Sequence, residues 1–336
     1  SYATSDGTAT AGDDYTAGTG TITFNPGDTT QNIPVAVLED AIDEDNETIT
    51  VTLSNPINVT LNDHIGELTI ADDDVAPTLS ISDVVTANEA AVVNSTTVTL
   101  SAASEKTVSV NFATSDGTAT ANNDYISASG TLEFAPGVIT QTIPVTMVQD
   151  SLDEIDETIT VTLSGESNAT VADATGIITI TDDDGTPTLS ISPLTTAETG
   201  TLSATVSLSG ASSEDVTVNY ATSNGTANAG NDYTSTTGTL TIAAGDTSGT
   251  IDISILADSV SEEDETFNVT LTSPSSNASL ATSSATMTIT DDDTAPTISI
   301  ADLTASEADG TVNLTATLSE ASERIITVNF ARANDS

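Results

Sequence analysis

The chain has 336 residues and no cysteine, and its 51 acidic residues against three basic ones give a formal net charge of −48. A surface this acidic repels phosphate backbones and anionic headgroups, which excludes nucleic acid and membrane insertion of this segment and favours cations as partners. The hydrophobic content is 37%, and Val, Ile and Leu alternate with Thr and Ser, which excludes a disordered acidic tail.

Three copies of one motif divide the chain into repeats. The motif reads SYATSDGTATAGDDY at 1–15, NFATSDGTATANNDY at 111–125 and NYATSNGTANAGNDY at 219–233. Asp triplets at 72–74, 182–184 and 291–293 precede Pro77, Pro187 and Pro296. These marks predict complete modules at 75–184 and 185–293, the C-terminal part of a module at 1–74, and the N-terminal strands of a further one at 294–336.

Alternating segments of the module at 75–184 predict seven strands. They fall at about 77–82, 96–102, 107–114, 130–134, 139–148, 157–163 and 176–181, separated by turn signals such as Asp116-Gly117 and Pro136-Gly137. Seven short strands per hundred or so residues are typical of an immunoglobulin-like sandwich. The predicted fold class is therefore all-β, with tandem immunoglobulin-like seven-stranded antiparallel sandwiches.

Each repeat has a second acidic cluster about 25 residues before its Asp triplet. In the middle repeat Glu157 opens one predicted strand and Asp182 follows the next, so antiparallel pairing of the two strands is expected to bring both clusters to one end of the sandwich. Carboxylates this close repel one another unless a cation neutralises them, and six to eight oxygen ligands suit Ca²⁺. The absence of cysteine and the single histidine, His64, argue against zinc.

At these residues the sequence resembles the Calx-beta family, found in sodium-calcium exchangers and in large microbial surface proteins. The resemblance rests on the DGTA-x-x-x-x-DY segment, the D-x-x-x-E-x-x-E cluster and the terminal DDD, and it extends over essentially the whole chain. It implies a seven-stranded sandwich that binds Ca²⁺ at its distal loops.

The resemblance also implies a set of metal ligands, carried over position by position. The first-strand acid is Glu89, Glu198 or Glu307, and the Asp-Tyr aspartate is Asp14, Asp124 or Asp232. The cluster ligands are Asp40, Glu44 and Glu47, then Asp150, Glu154 and Glu157, then Asp258, Glu262 and Glu265. The triplets Asp72, Asp73, Asp74, Asp182, Asp183, Asp184, Asp291, Asp292 and Asp293 complete the sets. An extra acid, Glu39, is replaced by Gln149 and Ala257 in the later repeats, which implies fewer ions there.

The favoured function is a calcium-binding structural or adhesive rod of a cell-surface or extracellular protein, with Ca²⁺ rigidifying the junctions between modules. The alternative is a calcium-sensing regulatory region of a transporter or signalling protein. No enzymatic activity is expected, because His64 does not recur with the repeats and catalytic sites are seldom triplicated.

The sequence starts and ends within a repeat, and this leaves two interpretations open. The sequence starts at the predicted strand containing Tyr2, and the equivalent strand three repeats later contains Phe330. The preferred interpretation is a window on a longer array. In the other, the C-terminal strands of one copy complete the N-terminal sandwich of the next copy and build a filament.

Overall fold

The computed structural model describes residues 1–85, 89 and 93–332 of the chain. The chain divides into two compact units, one formed by residues 1–149 and 156–183 and the other by residues 150–155 and 184–336. Within the described ranges, no helix is both long enough and apolar enough to cross a membrane.

The first unit consists of strands and connecting loops. Its strands are β1 (Tyr2–Asp6), β2 (Tyr15–Thr16), β3 (Thr19–Gly20), β4 (Ala36–Val37), β5 (Glu47–Leu53), β6 (Ile65–Ile70), β7 (Thr78–Ile81), β8 (Val84–Val85), β9 (Val93–Leu100), β10 (Val108–Asp116), β11 (Tyr125–Ile126), β12 (Ser129–Phe134), β13 (Thr140–Met147), β14 (Glu157–Ser167), β15 (Thr170–Val171) and β16 (Thr175–Ile180).

The second unit also consists mainly of strands, although no strand corresponding to β11 occurs among its described residues. Its strands are β17 (Thr188–Ile191), β18 (Leu194–Ala197), β19 (Thr201–Leu208), β20 (Val216–Asn224), β21 (Thr237–Ile242), β22 (Ser248–Ser254), β23 (Glu265–Thr272), β24 (Ser279–Thr282), β25 (Ser284–Thr290), β26 (Ile298–Ile300) and β27 (Ala316–Leu318). A 3-10 helix spans Glu307–Asp309.

Two five-stranded sheets enclose the core of the first complete sandwich. Their strand orders are β12-β10-β14-β16-β8 and β11-β13-β9-β7-β15. Along β14, Ile159, Val161 and Leu163 point into the core, while the alternate threonines face outward. The aliphatic core and the period-two alternation that the sequence predicts are both present, and the all-β sandwich class is confirmed.

The first strand of each complete sandwich is split and joins both sheets through short parallel pairs. β7 pairs with β15 and β8 with β16, and in the second unit β17 pairs with β24 and β18 with β25. Pro193, which lies between β17 and β18, has no N–H to continue the hydrogen-bond ladder. The short strands β8, β11 and β15 come in addition to the seven predicted ones.

Residues 1–74 form a smaller core around Ala9, Tyr15 and Ile49. Their four-stranded sheet has the order β3-β1-β5-β6, and β2 pairs with β4. Only Ala36–Val37 is a strand where the next repeat has all of β13. The reason is that β13 pairs with β9, and residues 1–74 contain no strand that corresponds to β9.

Residues 294–332 contain only β26, β27 and the 3-10 helix as regular structure. The sequence predicts a further strand through Phe330, and this prediction is wrong for the described residues. Ile325 is 94% exposed and Phe330 is 89% exposed. A strand needs a neighbour to accept and donate its backbone hydrogen bonds, and no described strand lies beside this segment.

Candidate metal centre

A tight turn holds the aspartate of the Asp-Tyr pair in place. Asp14 Oδ2 accepts a hydrogen bond from the Thr10 N–H at 2.5 Å, and Asp232 Oδ2 accepts one from the Asn228 N–H at 2.6 Å. The following tyrosines, Tyr15 and Tyr233, are fully buried in the core. The tyrosine therefore anchors the turn while the adjacent carboxylate stays at its edge.

The acidic loop and the Asp triplet are brought together by one hairpin, as the sequence predicts. Glu47 begins β5 and is paired with Ile70 at the end of β6, two residues before Asp72 of the triplet. Glu265 and Ile289 form the equivalent pair of β23 and β25. Upstream, Asp40 Oδ1 caps the loop by accepting the Ile42 N–H at 2.8 Å.

In the first unit, carboxylate oxygens of Asp14, Asp40 and Glu44 lie within 4.8 Å of one another. A cavity of about 340 Å³ opens beside them. The other predicted ligands that line this cavity are Glu39, Glu47, Asp72, Asp73 and Asp74. The structure thus gathers eight of the predicted ligands of this repeat around one cavity.

Two clusters of three acids each occur in the repeat at 185–293, among the described residues. In each cluster the carboxylate oxygens lie within 4.8 Å of one another. One cluster consists of Asp232, Glu262 and Glu265, and the other of Glu198, Asp292 and Asp293. Glu198 is only 4% exposed, and Asp232 and Glu262 are each 9% exposed. Burial is the main cause of the raised pKa of Glu198 and of Glu262, and repulsion from the Asp258 carboxylate adds to both, although a backbone hydrogen bond at Asp258 lowers the pKa of Glu198. Two cation positions therefore have candidate ligands in this repeat.

Burial and mutual repulsion disfavour the charged form of these acids. Burial, followed by repulsion from neighbouring carboxylates, raises the pKa of Glu44 and of Glu262 to about 7. Burial also raises the pKa of Glu265 to about 7, with a further contribution from its hydrogen bond to Asp232. The pKa of Glu47 rises to about 7 in the same way, through burial and Asp14. A bound cation would relieve this repulsion.

The donor set fits a hard cation such as Ca²⁺. Every member is a carboxylate oxygen, the ligand that calcium prefers. Two oxygens, Glu47 Oε2 and Asp293 Oδ2, are buried and accept no hydrogen bond. A buried, unsatisfied carboxylate oxygen is costly, and coordination of a metal ion would satisfy it.

The first acid of two triplets has a partner within the protein. Lys106 Nζ lies 3.6 Å from Asp72 Oδ2, and Arg324 Nη2 lies 3.2 Å from Asp291 Oδ2. In the second unit, the group with Glu198 contains the second and third acids of the triplet and not the first. The three acids of a triplet therefore have different surroundings, although the sequence assigns them one role.

The remaining predicted ligands are placed as follows. Glu89 is buried, Asp124 and Glu157 are partly buried, and the Asp182 N–H donates to Asp156 Oδ1 at 3.3 Å in the first unit. Asp150 and Glu154 lie in the loop 150–155, which belongs to the second unit. Asp184 is also part of the second unit, and Asp183 is the last residue of the first unit. That the acids of this repeat form a metal site stays a prediction. Glu307 is exposed on the 3-10 helix and is grouped with none of the other candidates among the described residues.

Sequence reasoning missed the role of Asp43, Ser104 and Lys106. Asp43 is only 5% exposed, accepts the Ser104 hydroxyl at 2.9 Å and is bonded by Lys106 Nζ at 2.9 Å. The position of the basic residues in the sequence was the signal that could have revealed this contact. Two of the three basic residues, Lys106 and Arg324, each follow by two positions a serine, Ser104 or Ser322, that recurs at the same place in the repeats.

These features define an all-β repeat protein with clustered carboxylates at the loops of each sandwich. The Calx-beta domain family matches residues 1–74, 72–184 and 182–293. The chain therefore belongs to the Calx-beta domain family.

Curated relatives include several sodium/calcium exchangers. The chain is 32% identical over 179 residues to sodium/calcium exchanger 1 of Bos taurus, which covers 47% of this chain and 18% of the exchanger. It is 30% identical over 168 residues to sodium/calcium exchanger 2 of Mus musculus, covering 44% of this chain and 18% of that protein. The chain thus spans about a fifth of the length of these relatives.

Two solved structures are similar to parts of the chain. The apo-form Calx CBD1 domain is 32% identical, with a TM-score of 0.31, over 32% of this chain and 100% of that domain. The structure described as calcium binding domain CBD12 of CALX1.1 is 21% identical, with a TM-score of 0.32, over 62% of this chain and 98% of that one.

The raised pKa values predict an unusual pH dependence without metal. A carboxyl group whose folded pKa is raised contributes stability that is fully present below its unfolded pKa of about 4.5 and is lost as pH rises through about 7. In EDTA, the midpoint of thermal unfolding is therefore expected to be higher at pH 5.5 than at pH 8.

Thermal unfolding followed by circular dichroism at the two pH values checks this prediction. Saturating Ca²⁺ at pH 8 is expected to remove the difference, because the ion neutralises the same carboxylates. A midpoint in EDTA that is higher at pH 8 contradicts it.

Proposed function

We propose that this chain is a calcium-responsive array of Calx-beta modules, in which Ca²⁺ binds the clustered carboxylates and orders the acidic loops. The observation that carries the proposal is the pairing of close carboxylates with buried oxygens that have no hydrogen-bond partner, at Glu47 and Asp293. Without an ion, these groups repel one another and keep their loops under electrostatic strain. Calcium binding converts that repulsion into coordination and stabilises the folded modules.

Between the two functional classes, the relatives support a calcium-sensing regulatory region over a rod. Sodium/calcium exchangers of several mammals align with nearly half of this chain. In a sensor, occupancy must change over the range of the signal, so calcium is expected to bind reversibly and to change loop order. The proposal gives the chain no enzymatic role.

Isothermal titration calorimetry of the whole chain with CaCl₂ tests calcium binding. Heat is expected, with dissociation constants of about 1 mM or tighter. At 100 times its dissociation constant, one bound ion stabilises the folded state by about 2.7 kcal/mol. MgCl₂ at the same concentration is expected to give a smaller shift in the unfolding midpoint, since Mg²⁺ requires strict octahedral geometry. Absence of both heat and a calcium-dependent midpoint would refute the proposal.

A second candidate is a structural or adhesive rod at the cell surface, in which neighbouring modules of the same or another copy are the partners. It is favoured by the tandem family matches at residues 1–293 and by contacts such as Ser104 to Asp43, which join one repeat to the next. A rod whose junctions Ca²⁺ rigidifies is expected to respond at the millimolar Ca²⁺ of an extracellular medium, whereas a sensor is expected to respond at about 0.1–10 μM.

Small-angle X-ray scattering during a CaCl₂ titration from EDTA to 5 mM separates the two candidates. A maximum dimension that changes at about 0.1–10 μM supports the sensor, whereas a change to the scattering curve of a stiff rod only above about 0.1 mM supports the structural role. Mass growth with protein concentration in the same samples would support assembly into a filament. Cleavage by protease added to intact source cells would support the extracellular or cell-surface location that a rod requires.

A further inference from the structure

The same contact between an acidic loop and a serine occurs three times in the chain. Ser104, Ser212 and Ser322 each form a β-bridge with a loop residue of the preceding repeat, namely Asp43, Asp153 and Ser261 respectively. We call these the first, second and third loop–serine contacts. The first lies within the first unit, and the other two lie within the second unit.

Backbone hydrogen bonds of the three contacts are alike. The N–H after the serine donates to the carbonyl of the loop residue, at 3.0 Å for Glu105 to Asp43, 3.0 Å for Ser213 to Asp153 and 3.2 Å for Glu323 to Ser261. The backbone geometry therefore does not distinguish the contacts, and any difference in their strength comes from side chains.

The side chain two places after the serine distinguishes them. This position holds Lys106 in the first contact, Glu214 in the second and Arg324 in the third. The chain has only three basic residues against 51 acidic ones, so the placement of two cations at one matched position is a specific feature of the contacts.

Lys106 and Arg324 bind the acidic groups beside them. Lys106 Nζ lies 2.9 Å from Asp43 Oδ1 and 3.6 Å from Asp72 Oδ2. Arg324 donates to the Glu262 carbonyl and reaches Asp291 Oδ2 at 3.2 Å. Asp43 is buried, and the hydrogen bond from an ammonium group compensates for the loss of its hydration.

Glu214 gives the second contact the opposite charge. It lines a cavity of about 200 Å³ with Asp153 and Glu154, so three acids surround a space that has no basic residue in its lining. The Ser212 hydroxyl is 3.4 Å from Asp153 Oδ2, compared with 2.9 Å for Ser104 and Asp43. Carboxylates that line one cavity repel one another, which weakens the second contact relative to the other two.

We propose that Lys106 and Arg324 are resident cations that keep the first and third loop–serine contacts closed without metal, whereas the acid Glu214 at the matched position leaves the second contact more open. The residue at one matched position thereby sets how firmly each contact is closed. This proposal does not rest on the proposed function.

Amide hydrogen exchange of the whole chain in EDTA, read at single residues by NMR, tests the resident cations. The Glu105 and Glu323 amides are expected to exchange at least about tenfold more slowly than the Ser213 amide, which corresponds to about 1.4 kcal/mol. Equal exchange of the three amides in EDTA overturns the proposal.

Charge swaps at the matched position provide the variants. Lys106→Glu is expected to accelerate exchange of the Glu105 amide in EDTA about tenfold, and Glu214→Lys is expected to slow the Ser213 amide by a similar factor. Lys106→Arg is the control that keeps the charge and is expected to retain protection. Because Glu214→Lys predicts a gain of protection, misfolding cannot produce its expected result, and unchanged rates in both swaps overturn the proposal.

The EDTA measurements separate this proposal from the proposed function. They contain no calcium, so they report the resident cations whether or not the chain binds Ca²⁺. Slow exchange of the Glu105 and Glu323 amides in EDTA, in a chain that gives no heat with CaCl₂, would retain the role of Lys106 and Arg324 and refute only the proposed function.

Discussion

Replacing Phe267 by alanine is expected to lower the free energy of unfolding of the second unit by about 3–5 kcal/mol. Phe267 is fully buried, and its ring stacks on Tyr233 with centroids 4.3 Å apart and an interplanar angle of 14°. Truncation removes this stacking and leaves a cavity that the surrounding strands cannot fill. Because Tyr233 anchors the turn that presents Asp232, weaker calcium binding is expected to accompany the loss of stability.

The matched control for this change is Phe267→Ile, because isoleucine occupies the same position in the earlier repeats as Ile49 and Ile159. It is expected to cost clearly less than alanine, since most of the buried volume remains. Hydrogen exchange of the β23 and β25 amides in urea reports the unfolding of this unit separately from the first unit. An alanine variant no less stable than the isoleucine variant would mean that the ring does not support the core.

Strand positions were accessible from the sequence because each sandwich strand has one buried face. In β14, apolar side chains at every second position predict both the strand and the side that faces the core. The same pattern predicts that Glu157 begins a strand, and it does. The meeting of the acidic loop with the Asp triplet in the first and third repeats follows, because one hairpin connects them.

The split first strand was not accessible from the sequence. β8 and β15 have two residues each, too few for an alternation pattern, and their parallel partners are distant along the chain. The difference in burial between Glu198 and Glu307, which occupy matched positions in their repeats, was also not accessible from the sequence. Glu198 is buried because it follows β18, which pairs with β25, whereas Glu307 has no corresponding strand beside it among the described residues. Environment rather than residue type separates them.

The buried charge of Asp43 was also hidden in the sequence. It stands among several acids of one loop, and an acid in such a loop is usually solvated. Only the three-dimensional contact with Ser104 and Lys106 shows that this carboxylate is enclosed and paired. Lysine in turn is a common surface residue, and its importance becomes apparent only from the scarcity of basic residues in the chain and from the matching position of Arg324.

Replacing Glu265 by glutamine is expected to shift stability in opposite directions with and without calcium. In EDTA at pH 8 the variant is expected to unfold at a higher temperature than the unmodified chain, because the pKa of Glu265 is raised to about 7 by burial and by Asp232. Its charge is therefore unfavourable at pH 8, and a neutral amide removes the repulsion. In calcium the variant is expected to bind at least about tenfold more weakly, a loss of about 1.4 kcal/mol, because a carboxylate ligand is gone.

Thermal unfolding in EDTA and in 5 mM CaCl₂, with calorimetric titration of both proteins, measures the two shifts. The control is Asp264→Asn, which removes one charge from the neighbouring exposed residue and is expected to change neither value appreciably. A Glu265→Gln variant that is less stable in EDTA but binds calcium normally would assign Glu265 to the packing of the sandwich. Opposite shifts in Glu265→Gln, absent in Asp264→Asn, require that the ion itself neutralises the buried carboxylates at the start of β23.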